Sequence, residues 1–158
     1  MTVQDFIKNY SQPIIDACKG TTLFPSVKLA QAALETGWGA SVIGEANNMF
    51  GIKGRGAHTP FWNGDVVNKS TQEFTNGAYQ TVTEPFRKYN SLADSIRDHT
   101  YFLQQNTRYL PVFEAKTPED QAIALFDCGY ATDPPYASKL MSIINSHNLI
   151  SLDQKKNL

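Results

Sequence analysis

Glu35 is the residue whose sequence surroundings point most directly to chemistry. It lies in AQAALETGWGAS, residues 30–41, where a run of small apolar residues ends at one carboxylate, followed by two glycines around a tryptophan. No other acidic residue occurs between Asp16 and Glu45. A carboxyl group beside an aromatic wall has a raised pKa because its anion is poorly hydrated there, and such a group can donate a proton at neutral pH.

The alternative for Glu35 is an ordinary solvated glutamate. On a helical wheel it lies near Lys28 and Gln31, away from the apolar stripe, which favours that alternative. Its position in the last helical turn favours the proton donor, because the helix dipole opposes a negative charge there. Trp38 is expected to shield one side of the carboxyl, and the neighbouring glycines leave space for a ligand.

Composition indicates one globular domain over residues 1–150, followed at 151–158 by a polar tail, which is expected to be frayed, or by a linker stub. The chain has 158 residues, of which 41% are hydrophobic and 18% charged. Its net charge of -1 gives no electrostatic reason to expect binding to nucleic acid or to an anionic membrane. The apolar stretches are too short to span a membrane, and the first residues lack a secretory signal.

Cysteines and histidines suggest neither a metal site nor a cofactor. Cys18 and Cys128 are far apart in sequence, and we expect two reduced, buried thiols, with a single disulfide as the alternative. The three histidines show no HxxxH or HExxH spacing, so no zinc site is predicted.

Helical patterns at both ends flank a short β segment, which predicts an α+β fold with a cleft between two lobes. Thr2 should cap the first helix, and Pro13 should start a second segment. Pro25 suits a first helical turn, and Gly37 suits the end of that helix.

The middle of the chain predicts a β-hairpin. Asn76-Gly77 favours a tight turn between strands at about 66–75 and 78–83, because both turn positions need positive φ. Ser91, Thr117 and the Pro134-Pro135 pair then mark the starts of three further helices.

Five segments of the sequence, in order, carry a family resemblance. They are LAQAALETGWGAS, NNMFGIKG (47–54), TQEFTNG (71–77), FRKYNSLADSIRDHTYFL (86–103) and GYATDPPYASKL (129–140). Together they resemble the glucosaminidase family of peptidoglycan hydrolases, glycoside hydrolase family 73, which includes autolysins, flagellar wall hydrolases and phage enzymes. The resemblance extends from about residue 6 to about residue 148.

The resemblance implies a lysozyme-like fold, with a mostly helical lobe facing a small β-hairpin lobe across a glycan-binding cleft. It implies an endo-β-N-acetylglucosaminidase that cleaves the β-1,4 bond between N-acetylglucosamine and N-acetylmuramic acid. We expect the protein to be a monomer without cofactor or metal. Glu35 then matches the family's general acid. The alternatives are a muramidase acting on the other bond of the same glycan, and a wall-binding module without activity.

Two further residues receive catalytic roles from the resemblance. Glu73, just before the hairpin turn, matches the β-lobe glutamate of the family and would act as base, nucleophile or support for attack by the substrate's acetamido group. Without the resemblance, Glu73 would be an ordinary surface strand residue. Tyr130, in GYATDP, matches a tyrosine near the scissile sugar, with a buried core tyrosine as the alternative.

Substrate contacts are expected from residues that suit sugars, whose CH faces stack on aromatic rings and whose polar groups need fixed partners. The candidates are Asn47, Asn48, Phe50, Trp62 and Tyr136. The three aromatic candidates have structural alternatives: Phe50 in the core, Trp62 pinning its loop, and Tyr136 packing the last helix. For Arg87 a structural salt bridge is the alternative to a glycan contact, and Asp94 and Asp98 are expected in capping or structural roles.

The implied site of action is the bacterial cell wall. Because the sequence lacks a visible signal peptide, a phage enzyme, a secreted effector and a module of a larger exported protein are all compatible with it.

Overall fold

The computed structural model describes residues 1–41 and 45–157. The α-helices are α1 Val3–Cys18, α2 Pro25–Thr36, α3 Leu92–Gln105, α4 Leu110–Glu114, α5 Pro118–Asp127 and α6 Tyr136–Ser146; the strands are β1 Val66–Thr75 and β2 Ala78–Arg87; 3-10 turns cover Thr107–Tyr109 and Leu149–Asn157. The two strands form one antiparallel sheet, so the expected α+β architecture is confirmed. Within the described residues, no helix is both long and apolar enough to cross a membrane.

Helix α1 begins as expected and continues further than expected. Thr2 and Asp5 form a reciprocal capping box, in which each side chain accepts a hydrogen bond from the other's backbone N–H at 3.0 Å. The expected break at Pro13 is wrong, because Pro13 lies inside one continuous helix. Buried Phe6 and Ile14, on either side of the proline, pack into the same core, and this packing outweighs the hydrogen bond that proline cannot make.

Helix α2 is the central helix of the fold. It packs against α1, α5, α6 and the segment Leu149–Asn157, so its polar side is buried as well as its apolar side. Lys28 and Gln31, the neighbours that suggested a solvated Glu35, are 2% and 4% exposed. A helical wheel misses this because it assumes that polar residues face water. Pro25 and Gly37 occupy the first turn and the left-handed C-cap, as expected.

The β-hairpin is longer than its sequence signal. Strand β1 has the predicted bounds, and Asn76 and Gly77 adopt the positive φ angles of 53° and 79° that the turn requires. Strand β2 continues to Arg87 rather than ending at residue 83, with Val66 paired to Arg87 at the base of the hairpin. Pro85 is compatible with this extension because β2 is an edge strand of a two-stranded sheet, and beside the proline its outer side carries, among the described residues, only an isolated bridge between Lys53 and Phe86.

A buried ion pair joins the hairpin to the helical lobe. Arg87 Nη1 at the end of β2 donates to Asp98 Oδ2 on α3 at 2.8 Å, with side chains that are 6% and 0% exposed. Tyr89 and Thr59 also donate hydrogen bonds to the Asp98 carboxylate. The structural roles expected for Arg87 and Asp98 are therefore observed, and the network sets where the hairpin leaves the helices.

The C-terminal segment is ordered through Asn157, so the expectation of a frayed tail is wrong. The Asp153 carboxylate accepts hydrogen bonds at 2.7 Å from both the backbone N–H and the hydroxyl of Ser26, in the first turn of α2. Lys156 donates to the carbonyl oxygens of Thr21 and Leu23. A polar composition concealed these contacts because they serve the start of a buried helix.

Both cysteines are free thiols. Cys18 is fully buried in the core, where burial raises its pKa to about 11, and Cys128 is half-buried after α5. The expectation of two reduced thiols therefore agrees with the structure, although only Cys18 is fully buried.

We predict that Asp98→Ala strongly destabilises the fold, by about 3–5 kcal/mol, because it leaves the Arg87 cation buried without its partner. Asp94→Ala on the same helix is the matched control: its side chain is 29% exposed and 3.9 Å from Arg97, so the loss should stay below about 1 kcal/mol. Urea denaturation measures both free energies of unfolding. Equal losses in the two variants would contradict a special role for Asp98.

Candidate active site

A cleft of about 820 Å³ lies between the hairpin and the helical lobe. The residues that line it include Glu35, Phe50, Gly51, Lys53, Arg55, Glu73, Tyr101, Arg108, Tyr109, Tyr130, Thr132, Asp133, Tyr136 and Lys139. A smaller cavity of about 180 Å³ shares Glu35 and Gly51 with it and continues along β1 at residues 69–71. Glu35 therefore lies where the two spaces meet, with room for a chain-like ligand on either side.

The Glu35 carboxyl packs directly against the backbone of Gly51. A Cβ placed on Gly51 would lie 2.6 Å from Glu35 Cδ and 3.1 Å from Cγ, so a side chain there would push the Glu35 carboxyl aside. Gly51 also has a φ of +67°, a left-handed conformation that other residues rarely adopt. The position thus requires glycine for two reasons, and the close approach fixes one side of the acid.

The pKa of Glu35 is raised, first because surrounding protein removes water from its anion and second because the negative charge of Glu73 opposes it. Lys53 acts in the opposite direction. Glu35 is nevertheless exposed to the cleft, so a substrate can reach the acid that the protein has partly dehydrated. This combination suits a proton donor.

Trp38 does not provide the aromatic wall that the sequence suggested. The helix ends at Thr36, and both Gly37 and Trp38 have positive φ, so the three-residue helical spacing does not apply. The Trp38 ring packs edge-on against Phe6 and His147, with centroids 5.6 and 4.8 Å away. Trp38 lines neither cavity, so other residues surround the Glu35 carboxyl.

Asn48 holds the loop that carries Gly51. Its side-chain nitrogen donates at 3.0 Å to the carbonyl oxygens of Ile52 and Arg87, and its oxygen accepts from the backbone N–H groups of Phe50 and Ile52. Its neighbour Asn47 has a φ of 50° and donates to the Tyr89 carbonyl oxygen.

These two asparagines differ in their relation to the cavities. Asn48 lines the smaller cavity, whereas Asn47 lines neither. Asn48 is therefore placed to shape the site, and the hydrogen bond of Asn47 gives it a role in the loop's conformation.

Phe50 and Tyr130 form part of the cleft floor. Phe50 is 3% exposed and stacks on His99, with centroids 3.8 Å apart, so most of its ring belongs to the core. The Tyr130 hydroxyl donates to the Phe50 carbonyl oxygen at 3.3 Å. Burial and nearby Tyr136 and Glu35 raise the pKa of Tyr130 well above its usual value, so this phenol remains a hydrogen-bond donor beside Glu35.

Tyr136 connects the floor to α2. Its hydroxyl accepts a hydrogen bond at 2.9 Å from Nε2 of Gln31, one helical turn before Glu35. It lines the cleft while remaining 7% exposed, so it combines packing of α6 with a small contribution to the cleft surface.

Glu73 faces the cleft from the hairpin. Its Oε1 accepts from Lys53 Nζ at 2.6 Å, and its Oε2 accepts from the Thr132 hydroxyl at 3.2 Å. The structure thus brings Glu35, Glu73 and Tyr130 to one cleft, with electrostatic coupling between the two acids. Lys53 and Thr132 were missed in the sequence, which offers only the GIKG and GYATDP segments as signals.

The hairpin tip contacts the opposite wall. The Phe74 backbone N–H donates to the Thr132 hydroxyl at 3.2 Å, and the Tyr79 hydroxyl donates to the Asp133 carboxylate. Lys139 on α6 holds the same carboxylate at 2.6 Å. These contacts span the cleft and set the position of Glu73 on β1.

Trp62 lies outside both cavities. It is 5% exposed, its indole N–H donates to the Asp65 carbonyl oxygen at 2.7 Å, and the Arg87 guanidinium lies 4.1 Å from its ring centroid. Because little of the ring face is free, Trp62 is better suited to pinning its loop than to stacking on a sugar. In residues 1–41 and 45–157, no cluster of three or more His, Cys, Asp or Glu side chains could hold a metal ion.

Comparison with known proteins identifies the family. The family model for glucosaminidase, described as mannosyl-glycoprotein endo-beta-N-acetylglucosaminidase, matches residues 11–149. The chain belongs to the glucosaminidase family. It is 39% identical to the peptidoglycan hydrolase FlgJ of Salmonella typhimurium over 94% of this chain and 47% of that protein. It is 37% identical to the exo-glucosaminidase LytG of Bacillus subtilis, over 84% of this chain and 47% of that protein.

This glucosaminidase chain therefore spans about half the length of these curated relatives. A peptidoglycan hydrolase mutant from Sphingomonas sp. A1 has the same fold, with a TM-score of 0.81 and 34% identity over 94% of this chain and 97% of that one. The expected lysozyme-like α+β fold and the resemblance to the glucosaminidase family are thus both confirmed.

We predict that Gly51→Ala abolishes most hydrolytic activity while the protein still folds, because the new methyl group displaces the Glu35 carboxyl. Gly20→Ala is the matched control: Gly20 has a similar φ of +76° with nothing within 4 Å of the added Cβ. Both should lose about 1 kcal/mol of stability from the strained backbone. Thermal denaturation and a cell-wall turbidity assay measure the two effects, and full activity in Gly51→Ala would contradict the proposed contact.

Proposed function

We propose that this chain is an endo-β-N-acetylglucosaminidase, a glycoside hydrolase that cleaves the β-1,4 bond between N-acetylglucosamine and N-acetylmuramic acid in peptidoglycan. The observation that carries this proposal is Glu35, an acid with a raised pKa that remains open to a long cleft and faces a second carboxylate. Family membership and the similarity to the peptidoglycan hydrolase FlgJ support peptidoglycan as the substrate.

In this mechanism Glu35 donates its proton to the glycosidic oxygen as the bond to the sugar's anomeric carbon breaks. The leaving sugar departs as a neutral alcohol, and a water adds its hydroxide to the anomeric carbon and returns its proton to Glu35. The transition state carries positive charge on the sugar ring. Glu73 stabilises that charge from the hairpin, directly or by orienting the substrate's acetamido group.

Tyr130 and the loop around Gly51 prepare this step. The Tyr130 hydroxyl is committed to the Phe50 carbonyl oxygen, which fixes the loop whose next residue contacts Glu35. Preorganisation of this kind lowers the cost of reaching the transition state because little has to move during the reaction. Action of the protein at the bacterial cell wall follows from the proposed substrate.

We predict that Glu35→Gln reduces hydrolysis of purified peptidoglycan by about 10²- to 10⁴-fold, as expected for loss of a general acid. Reduction of the released fragments with borohydride, followed by mass spectrometry, identifies the bond. N-acetylglucosaminitol ends from the wild type alone support the proposal. N-acetylmuramitol ends would indicate a muramidase, and no release by the wild type would indicate a binding module.

The same variant has an internal control for folding. The folded state raises the pKa of Glu35, so ionisation of Glu35 costs stability as pH rises above its unfolded pKa. Glutamine removes that cost, and Glu35→Gln should therefore be at least as stable as the wild type at neutral pH, with no such advantage at low pH. A less stable variant at neutral pH would contradict the proposed environment of the acid.

A further inference from the structure

We propose that Arg108 binds a carboxylate of the peptidoglycan strand and so makes the cleft selective for an anionic glycan over a neutral one. This inference rests on the proposed function and assigns substrate selectivity to a residue outside the acid pair. Arg108 lies in the 3-10 turn Thr107–Tyr109 and lines the cleft.

Arg108 differs from the other cationic side chains of the cleft. Five lysines and arginines line the cleft, and four of them form ion pairs: Lys53 with Glu73, Arg55 with Glu84, Arg87 with Asp98, and Lys139 with Asp133. Within the described part of the chain, Arg108 has no carboxylate partner. Its charge is therefore available to a ligand, whereas the other four are neutralised.

The guanidinium of Arg108 is also held in place. Nη2 donates to the Gly129 carbonyl oxygen at 3.0 Å, and the group lies 5.1 Å from the Tyr109 ring centroid. A Cβ on Gly129 would lie 3.1 Å from Nη2, so glycine permits this close approach. An arginine has five N–H donors in a planar fork. The Arg108 side chain is exposed, so donors not used for Gly129 and Tyr109 can bind a carboxylate.

Gly129 directly precedes Tyr130, so the fork is attached to the segment that forms the floor beside Glu35. Its free donors therefore belong to the same cleft as the reacting bond. A strand bound across Glu35 would extend along this wall.

The proposed substrate supplies the matching charge. A glycan of N-acetylglucosamine alone is neutral, whereas muramic acid carries a lactyl group whose carboxyl is either free or linked to a peptide stem with carboxylates of its own. The shared chemistry is a carboxylate that projects sideways from the glycan. A charge-assisted hydrogen bond to Arg108 would hold such a group without contacting the sugar that reacts.

The test measures binding in the Glu35→Gln background, so that turnover does not affect the result. Soluble labelled glycan fragments are used in three forms: with native stems, with stem carboxylates converted to methylamides, and with stems removed by an amidase. We expect Arg108→Gln to weaken binding about three- to tenfold for at least one anionic form and to leave the amidated form unchanged. Weaker binding of the stem-bearing form identifies a stem carboxylate, and weaker binding of the stem-free form identifies the lactyl carboxylate.

Two further variants sharpen the result. Arg108→Lys keeps the charge without the fork and should retain part of the affinity. Arg97→Gln removes another exposed arginine, on α3 outside the cleft, and should have no effect. The inference would be overturned if Arg108→Gln bound every form as tightly as its parent protein does. It would also be overturned if the variant lost as much affinity for the amidated form as for the anionic forms. Digestion of the same fragments by the wild type tests the proposed hydrolysis separately.

Discussion

The site depends on the burial of α2, the helix that ends one residue after Glu35. Packing on nearly every side of this helix places its C-terminal end on the cleft floor, where both the helix dipole and the loss of water oppose a negative charge on Glu35. Asp153 stabilises the opposite end of the helix by accepting hydrogen bonds from Ser26. Ionisation of Glu35 therefore costs free energy in the folded protein, and the cleft gives a ligand access to this acid.

The second carboxylate reaches the cleft by a different kind of support. Glu73 lies on a two-stranded hairpin, which has little stability of its own. The buried Arg87–Asp98 pair fixes the hairpin's base, and contacts of Phe74 and Tyr79 with Thr132 and Asp133 hold its tip. The two acids are therefore held in different ways. The helical core fixes Glu35, whereas the position of Glu73 depends on contacts across the cleft, in the space that a substrate would occupy.

Local signals in the sequence predicted the helices and strands well, and the family resemblance predicted that Glu35 and Glu73 line the same cleft. Thr2, Pro25, Gly37 and the Asn76-Gly77 turn act through one or two neighbouring residues, so their effects are visible without the fold. The features that the sequence did not predict depend on tertiary packing. They are the continuous helix through Pro13, the burial of Lys28, the ordered C-terminal segment and the position of Trp38. The contact between Gly51 and Glu35 was equally hidden, because no pattern within either segment shows which backbone a side chain will meet.

The role of Glu35 as a proton donor depends on its pKa, which can be measured at this one site. The carboxyl carbon of Glu35 can be titrated by NMR in the wild type, Glu73→Gln and Lys53→Met. We expect a wild-type pKa above the ordinary glutamate value of about 4.3, with a lower pKa in Glu73→Gln and a higher one in Lys53→Met. An ordinary pKa in the wild type, or shifts of the opposite sign in the two variants, would contradict the conclusion that burial and the Glu73 charge raise the pKa of this acid.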